Sequence, residues 1–536
     1  MSAITPDTQI RLIKVDLSMD ETNQLTFSNA TAQANYFLSL THDDEQDKCT
    51  YLRKDGIIRY PKNIDSILKY NYVMYKNNNF SNKWFYAFIE NMEFANPNMT
   101  DIKIKTDVFQ TWQFQITYKR SFVEREHVSN DTVGLHTIPE GLEIGDYITN
   151  STETALNLRQ LAIVTASTVG PSDLENYTMN MYNGVPCPVV YCKWEISNDS
   201  SWGLPALQSF LRLLNDRGKI EAMEYMFFAP KWLTPNSQSG SVYIDETSSP
   251  RGENIQVNDI TTLNSYTPVN KKLLTYPYCY YGISNNLGQF NILKPELWSK
   301  SDTGGSVKKT LAISGVLSAG CSIKAYPLAY SGVARNFDEG ITVGKYPEIS
   351  WSNDLYTNWQ TQNGINLGGI RLNATEAGML KGAGGLIAGG ALASSGNIEM
   401  GGQLLAGGIG SIFNTMQEQY RHSLQPNGVE GSLNTGDVLT ALGENGVTIY
   451  TITIKQEYAK IIDQYFSMYG YKVNTVKIPN ITGRSNWNYV KTIDCNLEGN
   501  IPQNDLIELK NIFNRGITLW HNPNTFLDYS QNNPIV

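Results

Sequence analysis

The stretch KWFYAFIENME, residues 83–93, decides the fold class of this chain. Aromatic side chains dominate its first half, and aromatic and β-branched residues favour the half-buried surface of a β-sheet. Residues 67–75 and 102–108 have the same character, and Ile102-Lys103-Ile104-Lys105 alternates with the period of two that a strand requires. Asparagine-rich turn signals, at 77–79 and 96–98, separate the three stretches. The sequence therefore predicts an antiparallel β meander that runs to about residue 128.

The remainder of the chain is also predicted to be mainly β, with a few short α-helices. Residues that recur three and four apart predict the helices, and alternating or β-branched runs predict the strands. The predicted strands are 186–191, 311–330, 341–349 and 447–455, and the predicted helices are 206–215, 456–468 and 505–514. The chain has 536 residues, which is too long for a single core, so several β-barrel or sandwich domains are expected.

The composition limits the classes of partner. Only 17% of the residues are charged, against a usual value of about 25%, and the net charge is −9 with a pI near 5.3. Tight capture of nucleic acid phosphates requires clustered Lys and Arg, and this balance argues against it. A weakly acidic wall would instead let DNA slide past without adhering.

Residues 378–410 form a glycine-rich apolar segment that is unlike an ordinary protein core. The segment holds 12 of the 43 glycines and only two charged residues, Lys381 and Glu399. A membrane-spanning helix needs about 20 apolar residues. The apolar runs 383–393 and 404–413 are shorter, so one copy does not span a bilayer. Two interpretations of these residues alone stay open: a segment that meets lipid, and a glycine-rich connector that leads into an amphipathic core helix.

No catalytic or metal-binding motif was found. The sequence has no G-x-x-x-x-G-K-[ST], G-x-G-x-x-G, G-x-S-x-G or H-E-x-x-H. The acidic surroundings of His42 are interpreted as a solvated loop. Six cysteines without a C-x-x-C pair indicate free thiols, and the amino terminus has no signal-peptide pattern. We therefore expect no cofactor, no metal and no enzymatic activity.

Glu124-Arg125-Glu126-His127 is the one arrangement that could perform acid/base chemistry. On a strand, Glu124 and Glu126 would face the same side about 7 Å apart, a separation compatible with an inverting glycosidase. Cross-strand charge pairing explains the same pattern without catalysis and is the favoured interpretation. A cell-wall or glycan hydrolase and a receptor-binding module are nonetheless kept as alternative functions.

Several long aromatic strings resemble the tail-knob, or distal tail-tube, proteins of small short-tailed phages that infect Gram-positive bacteria. The resemblance covers about the first 145 and the last 80 residues well. The strings that carry it are 82–88, 107–114, 121–128, 276–279, 469–474, Arg484, 487–490, 499–502 and 516–520.

This resemblance implies a homo-hexamer that forms a mostly β tube and knob at the distal end of the tail. It also implies an apolar loop in each subunit that plugs the tube and then enters the host cytoplasmic membrane, opening a channel for ejection of the double-stranded genome without sequence-specific binding. Tail collar or connector proteins, and a lytic enzyme at the tail tip, are the other partners it suggests. The protein would be made in the host cytoplasm and located in the virion.

The resemblance divides the chain into five segments. They are an N-terminal β tube domain (1–128), a middle or knob region (129–300), a β segment returning to the tube (301–370), a glycine-rich hydrophobic loop (371–432) and a C-terminal tube domain (433–536). The expected membrane-inserting residues are Leu380, Leu386, Ile387, Leu392, Leu404, Leu405, Ile409, Ile412 and Phe413. The glycines expected to give the loop flexibility and close packing are Gly378, Gly382, Gly385, Gly389, Gly401, Gly402, Gly407 and Gly408.

Overall fold

Strands dominate the computed structural model, which confirms the mainly β prediction. The structure describes residues 8–52, 55–77, 80–154, 161–172, 174, 180–182, 185–187, 189–219, 222–234, 252–285, 288–303, 305–316, 322–331, 340–342, 348–350 and 446–536. All statements about structure below refer to these residues.

The strands and helices follow in chain order. The strands are β1 (Thr8–Ile13), β2 (Asn23–Leu25), β3 (Gln46–Leu52), β4 (Ile57–Tyr60), β5 (Tyr72–Asn77), β6 (Phe80–Asn96), β7 (Met99–Thr106), β8 (Thr117–Tyr118), β9 (Ser121–Glu126), β10 (Tyr147–Thr154), β11 (Leu161–Ser167), β12 (Asn180–Tyr182), β13 (Val185–Cys187), β14 (Val190–Glu195), β15 (Met223–Pro230), β16 (Gly252–Val257), β17 (Cys279–Ser284), β18 (Phe290–Leu293), β19 (Ser301–Thr303), β20 (Ser306–Val316), β21 (Ser322–Pro327), β22 (Ile341–Thr342), β23 (Glu348–Ser350), β24 (Thr448–Ile454), β25 (Tyr471–Lys477), β26 (Trp487–Asp494), β27 (Leu497–Glu498) and β28 (Ile517–Trp520). The helices are α1 (Ala30–Ser39), α2 (Ile64–Ile67), α3 (Val108–Trp112), α4 (Leu204–Asp216), α5 (Gln456–Tyr469) and α6 (Gln503–Arg515).

The chain divides into two compact units. Unit 1 comprises Met1–Gly145, Ser265–Leu274 and Lys455–Val536, and unit 2 comprises Asp146–Asn264 and Thr275–Ile454. The predicted 1–128 and 433–536 segments fall mainly in unit 1, and the described part of 301–370 lies in unit 2. The division into five functional segments remains a prediction.

A closed antiparallel barrel forms the first part of unit 1, with the strand order β1-β3-β4-β7-β6-β5. The KWFYAFIENME stretch lies within β6, which is 17 residues long. Phe85 and Ala87 join one buried cluster, while Tyr86 and Phe88 join a second cluster on the other face of the strand. Because both faces of β6 are covered here, residues 84–89 are continuously apolar instead of alternating.

A five-stranded sheet, β2-β28-β26-β9-β25, forms the second part of unit 1. It joins the two ends of the chain, because β2 pairs in parallel with β28 through Asn23↔Thr518 and Leu25↔Trp520. Trp487 and Trp520 are buried in this region with ring centroids 5.1 Å apart. Residues distant in sequence thus share one core.

Two predicted strand boundaries in unit 1 differ from the structure. The predicted strand 67–75 begins only at Tyr72, because Asn63 caps α2 and the chain turns after Ile67, where the Tyr70 N–H donates to the Ile67 carbonyl. The predicted strand 102–108 ends at Thr106, since the Asp107 side chain accepts from the Gln110 N–H and starts α3.

Unit 1 also contains the two-stranded sheet β27-β8, and unit 2 contains the remaining sheets. Their orders are β10-β24-β17-β18, β14-β11-β15-β23, β16-β20-β21-β22 with β19 on β20, and the hairpin β12-β13. The predicted helix 206–215 lies within α4, and its apolar stripe of Leu207, Phe210, Leu211 and Leu214 is buried as its spacing indicates. Among the described helices of both units, none is long and apolar enough to cross a bilayer.

Candidate functional site

The predicted membrane-inserting residues cannot be located directly. Leu380, Leu386, Ile387, Leu392, Leu404, Leu405, Ile409, Ile412 and Phe413, and the glycines Gly378, Gly382, Gly385, Gly389, Gly401, Gly402, Gly407 and Gly408, lie outside the described residues. The strands on either side of that segment are described. They are β23, which ends at Ser350, and β24, which begins at Thr448. These two strands flank the segment in the sequence.

The strand that precedes the segment, β23, is short and lies at the edge of a sheet. β23 pairs with β15 over three residues, from Tyr225↔Ser350 to Phe227↔Glu348, and forms one end of the order β14-β11-β15-β23. The other strands of this sheet have a firm core, because the Trp194 indole is buried, donates to the Thr165 hydroxyl at 2.9 Å and stacks on Phe210. Strand β23 is therefore a short edge strand on a sheet whose other strands are well packed.

The strand that follows the segment, β24, is an interior strand of its sheet. β24 reads TIYTITI and is paired along its whole length, with β10 on one side and β17 on the other. Its carboxyl end is fixed by a hydrogen bond of 3.0 Å from the Ile454 N–H to the Tyr278 carbonyl. Asn150 Nδ2 of β10 donates to Thr453 Oγ1 at 2.8 Å. Strand β24 is thus held by neighbours on both sides.

The sheet that holds β24 has two open edges. Its order is β10-β24-β17-β18, and among the described strands none pairs with the outer side of β10 or of β18. Every pair in it is antiparallel, so β10 and β18 run in opposite directions. Open edges present unpaired backbone N–H and C=O groups, which can pair with another chain. We call this four-stranded sheet the open sheet.

Strand β10 is exposed along almost its whole length. It reads YITNSTET, and its first seven residues are all exposed. Tyr147 is 38% exposed even though its hydroxyl donates to the Pro277 carbonyl and its ring lies 5.2 Å from that of Tyr280. Partial burial and the neighbouring Tyr280 raise the pKa of Tyr147 to about 12, so its hydroxyl stays neutral. Strand β10 therefore buries little side-chain surface within its own subunit, and its surface is accessible to a partner.

The opposite edge, β18, is apolar. Phe290 and Ile292 are 47% and 43% exposed. The Phe290 ring lies over Gly282 of the neighbouring strand, where an added Cβ would come within 2.2 Å of the ring. Glycine is thus required there for the close approach of this ring in its present position.

One face of the open sheet carries no charged side chain. The strand register places on this face Tyr147, Thr149, Thr152, Thr154, Thr448, Tyr450, Ile452, Ile454, Tyr280, Gly282, Ser284, Phe290 and Ile292. The other face contains the buried residues Cys279, Tyr281 and Ile283. The uncharged face offers hydroxyl and apolar groups but no ammonium or guanidinium group for a phosphate.

The glutamates of the possible acid/base pair are held in ion pairs. Both ladders of β9 shift register next to Glu124, so this residue lies in a β-bulge and not in line with Glu126. Glu124 pairs with Lys491 at 2.8 Å. Glu126 is fully buried, pairs with Lys477 and accepts from the Asn480 N–H at 2.9 Å. This arrangement fits the charge-pairing interpretation, and the bulge is the feature that a simple strand model missed.

The acidic loop around His42 is also held by local contacts. Asp43 accepts from the Tyr60 hydroxyl and from Lys62 Nζ, both at 2.6 Å. Within the described part of the chain, no group of three or more His, Cys, Asp or Glu side chains could hold a metal ion. Cys49, Cys192, Cys279 and Cys495 are free and buried.

Comparison with known proteins identifies relatives along the whole chain. Residues 238–534 match the family model of the C-terminal domain of the tail knob protein gp9 of Bacillus phage phi29, and residues 6–118 match the N-terminus of the caudoviral major tail protein. The chain is 26% identical to phi29 gp9 over 96% of its own length and 97% of the relative, and 26% identical to gp9 of Bacillus phage PZA over 96% of each chain.

A solved structure supports the fold. The tail knob protein gp12 of bacteriophage C1 has a TM-score of 0.62 to this chain, at 15% identity, over 99% of this chain and 100% of the other. At that identity the similarity establishes the architecture alone.

Proposed function

The chain belongs to the family of the phi29 tail knob protein gp9, and from this premise we propose that six copies form a tube at the distal end of the phage tail through which the genome leaves. The chain is a structural protein of the phage tail and not an enzyme. In the proposal, the glycine-rich segments plug the tube and then insert in the host membrane. Collar or connector proteins bind the proximal end, and a tail-tip lytic enzyme is a further partner.

The observation that carries the ring is the open sheet. Its strands alternate in direction, so β18 of one copy placed beside β10 of the next would continue the antiparallel order. Two different edges that pair make a head-to-tail contact, and head-to-tail contacts generate closed rings when the rotation closes. Closing the sheet into a barrel would leave no open edge, which removes a hazard of aggregation.

The uncharged face supports passage of DNA without adhesion. Protein–DNA affinity comes mainly from Lys and Arg contacts to phosphates, each of which releases counterions. The described strands of the open sheet offer none on this face, and the whole chain carries a net charge of −9. We propose that this face lines the channel. Replacing Thr149 and Thr152 with Lys should then slow genome ejection from virions, more strongly at low salt than at high salt.

The glycine-rich segment supports the membrane step. Burying eight apolar side chains in and just after it would favour insertion by roughly 12–24 kcal/mol per chain, at about 1.5–3 kcal/mol for each side chain. They are Leu386, Ile387, Leu392, Leu404, Leu405, Ile409, Ile412 and Phe413. Glu399 and unpaired backbone groups oppose this, the latter by several kcal/mol each in hydrocarbon. A ring of segments lowers that cost because neighbouring copies pair their backbone groups. Before infection, the tube interior keeps the same apolar surface from causing aggregation.

Dye release from liposomes tests the membrane step. The wild-type protein should release dye, and a variant lacking residues 378–410 should not. A second variant replaces Leu404 and Leu405 with Ser and keeps the length and the glycines of the segment. It should reduce dye release without altering assembly. If the deletion variant causes as much leakage as the intact protein, the assignment of the segment is wrong.

Disulfide cross-linking tests the ring. A variant with Thr149→Cys on β10 and Ile292→Cys on β18 should form covalent multimers on oxidation, up to six copies of the 60.0 kDa chain. Each single variant is the control and should give monomers and at most dimers. Native mass spectrometry of the wild type measures the number of copies independently. A hexamer without cross-links would keep the tube but reject the pairing of these two edges.

A further inference from the structure

Glu21 is an uncommon carboxylate, because it is buried and has no hydrogen-bond partner. It lies in the loop between β1 and β2, is fully buried, and neither of its carboxylate oxygens accepts a hydrogen bond from any described residue. Its backbone has a φ of 59°, which few residues other than glycine adopt. Burying an ionised carboxylate without partners is costly, so such a group shifts toward its neutral form.

The nearest cations do not satisfy this carboxylate. Lys105 Nζ of β7 is 3.8 Å from Glu21 Oε1, and an Arg515 guanidinium nitrogen of α6 is 3.7 Å from Glu21 Oε2. Both side chains are partly exposed, at 38% and 53%. Glu508 of α6 competes for them, with contacts of 3.8 and 3.9 Å. The positive charge near Glu21 is therefore shared and screened by solvent.

A second buried carboxylate, Asp107, acts on Glu21 electrostatically and is well supplied with donors. It accepts from the Gln110 N–H and the Tyr72 hydroxyl, both at 3.0 Å, and from Gln24 Nε2 at 3.4 Å. Hydrogen bonds to the charged form stabilise it. Because Asp107 has these donors and Glu21 has none, a proton that enters the pair resides on Glu21.

The pKa values of the two carboxyl groups agree with placing the proton on Glu21. Burial, followed by the charge of Asp107, raises the pKa of Glu21 to about 7 against opposition from Lys105 and Arg515. Burial raises the pKa of Asp107 to about 6, against opposition from its donors. The phenols of Tyr72, which donates to Asp107, and of Tyr86 stay neutral, because burial raises the pKa of each.

We propose that Glu21 and Asp107 form a proton-binding latch that holds the loop of residues 14–22 and the adjoining strand β2 in unit 1. With one proton bound, a single charge remains in the pair, and Asp107 keeps Gln24 of β2 in place. Gln24 in turn accepts from Gln110 Nε2 at 2.8 Å, and β2 pairs with β28. When the proton leaves, two buried charges repel and the strained loop loosens.

The direction of the pH effect follows from linkage. A carboxyl group whose pKa is raised on folding binds a proton more tightly in the folded state, so its contribution to stability is complete below about pH 4.5 and is lost as pH rises to about 7. For one proton, the equilibrium constant for opening rises by up to about tenfold per pH unit inside that window.

Hydrogen exchange of the full-length protein, read by mass spectrometry, tests the latch. Peptides that cover residues 15–25 should exchange faster at pH 8 than at pH 5.5, after correction for the intrinsic exchange rate. In Glu21→Gln, which keeps the shape without the titrating group, exchange at pH 8 should be slower than in wild type, and only the smaller pH dependence that comes from Asp107 should remain. The matched control is Asp16→Asn, an exposed carboxylate of the same loop, which should behave as wild type.

A second variant keeps the proposal testable if Glu21→Gln does not fold. Arg515→Met removes an exposed cation that favours the ionised form, so the transition should move to higher pH. The latch is overturned if the corrected exchange of wild type does not change with pH, if Glu21→Gln retains the wild-type pH dependence, or if Arg515→Met moves the transition to lower pH.

Discussion

Replacing Glu140 with Gln should destabilise unit 1 strongly, because this carboxylate neutralises two buried cations. Glu140 is fully buried and pairs with Arg125 and Lys272, whose side chains are 10% and 3% exposed. It also accepts from the Lys472 N–H at 2.9 Å. Removing one member of a buried ion pair costs about 3–5 kcal/mol, because the remaining charge is left without compensation. This is a large part of a typical free energy of unfolding of about 5–15 kcal/mol.

The assay is urea unfolding of Glu140→Gln and wild type, followed by tryptophan fluorescence. Glu124→Gln is the matched control: its pair with Lys491 is partly exposed, so its loss should cost at most about 1 kcal/mol. The pH adds a second criterion. Burial lowers the pKa of Lys272 and Glu140 opposes this, so without Glu140 the pKa falls further and the stability of the variant should rise with pH. Equal losses of unfolding free energy in Glu140→Gln and Glu124→Gln would refute this prediction.

Three further outcomes are expected. Gly470→Ala should destabilise by more than Gly141→Ala, since both have positive φ but only at Gly470 would a Cβ meet backbone atoms, at 2.1 Å; thermal unfolding compares them. Phe37→Ala should cost about 3–5 kcal/mol, because this fully buried ring packs on the rings of Tyr36, Tyr72 and Tyr86, and chemical denaturation measures the loss. Burial lowers the pKa of His127 to about 3, so its contribution to stability should fall as pH drops from about 6.5 toward 3, and His127→Gln should lack that dependence in acid unfolding curves.

Local patterns predicted several of the described elements. The helix predicted at 456–468 is α5 at Gln456–Tyr469, and the strand at 83–93 lies within β6. These elements carry their signal in consecutive residues, as spacing of apolar side chains or as aromatic density. The turn at Asp107 was missed because a single capping side chain, and no change in hydrophobicity, ends β7 and begins α3.

The candidate site was harder to predict because its signal is not local. Strand β10 reads YITNSTET, whose polar composition is that of a loop, and it becomes a strand by pairing with β24 about 300 residues later, as in the Asn150–Thr453 hydrogen bond with a separation of 303. The alternation of Ile148 and Thr149 was the available hint. The glycine-rich segment lies outside the described residues, so its insertion in a membrane stays a prediction.

The pairing of the two ends of the chain has a consequence for biosynthesis. Asn23 and Trp520 are joined by a hydrogen bond although 497 residues separate them. A ribosome that adds roughly 5–20 residues per second needs about 25–100 s between making one and the other. During this time β2 lacks its strand partner β28, and unit 1 cannot be completed until the apolar segment has been synthesised. Chains that end before β28 therefore lack a finished unit 1.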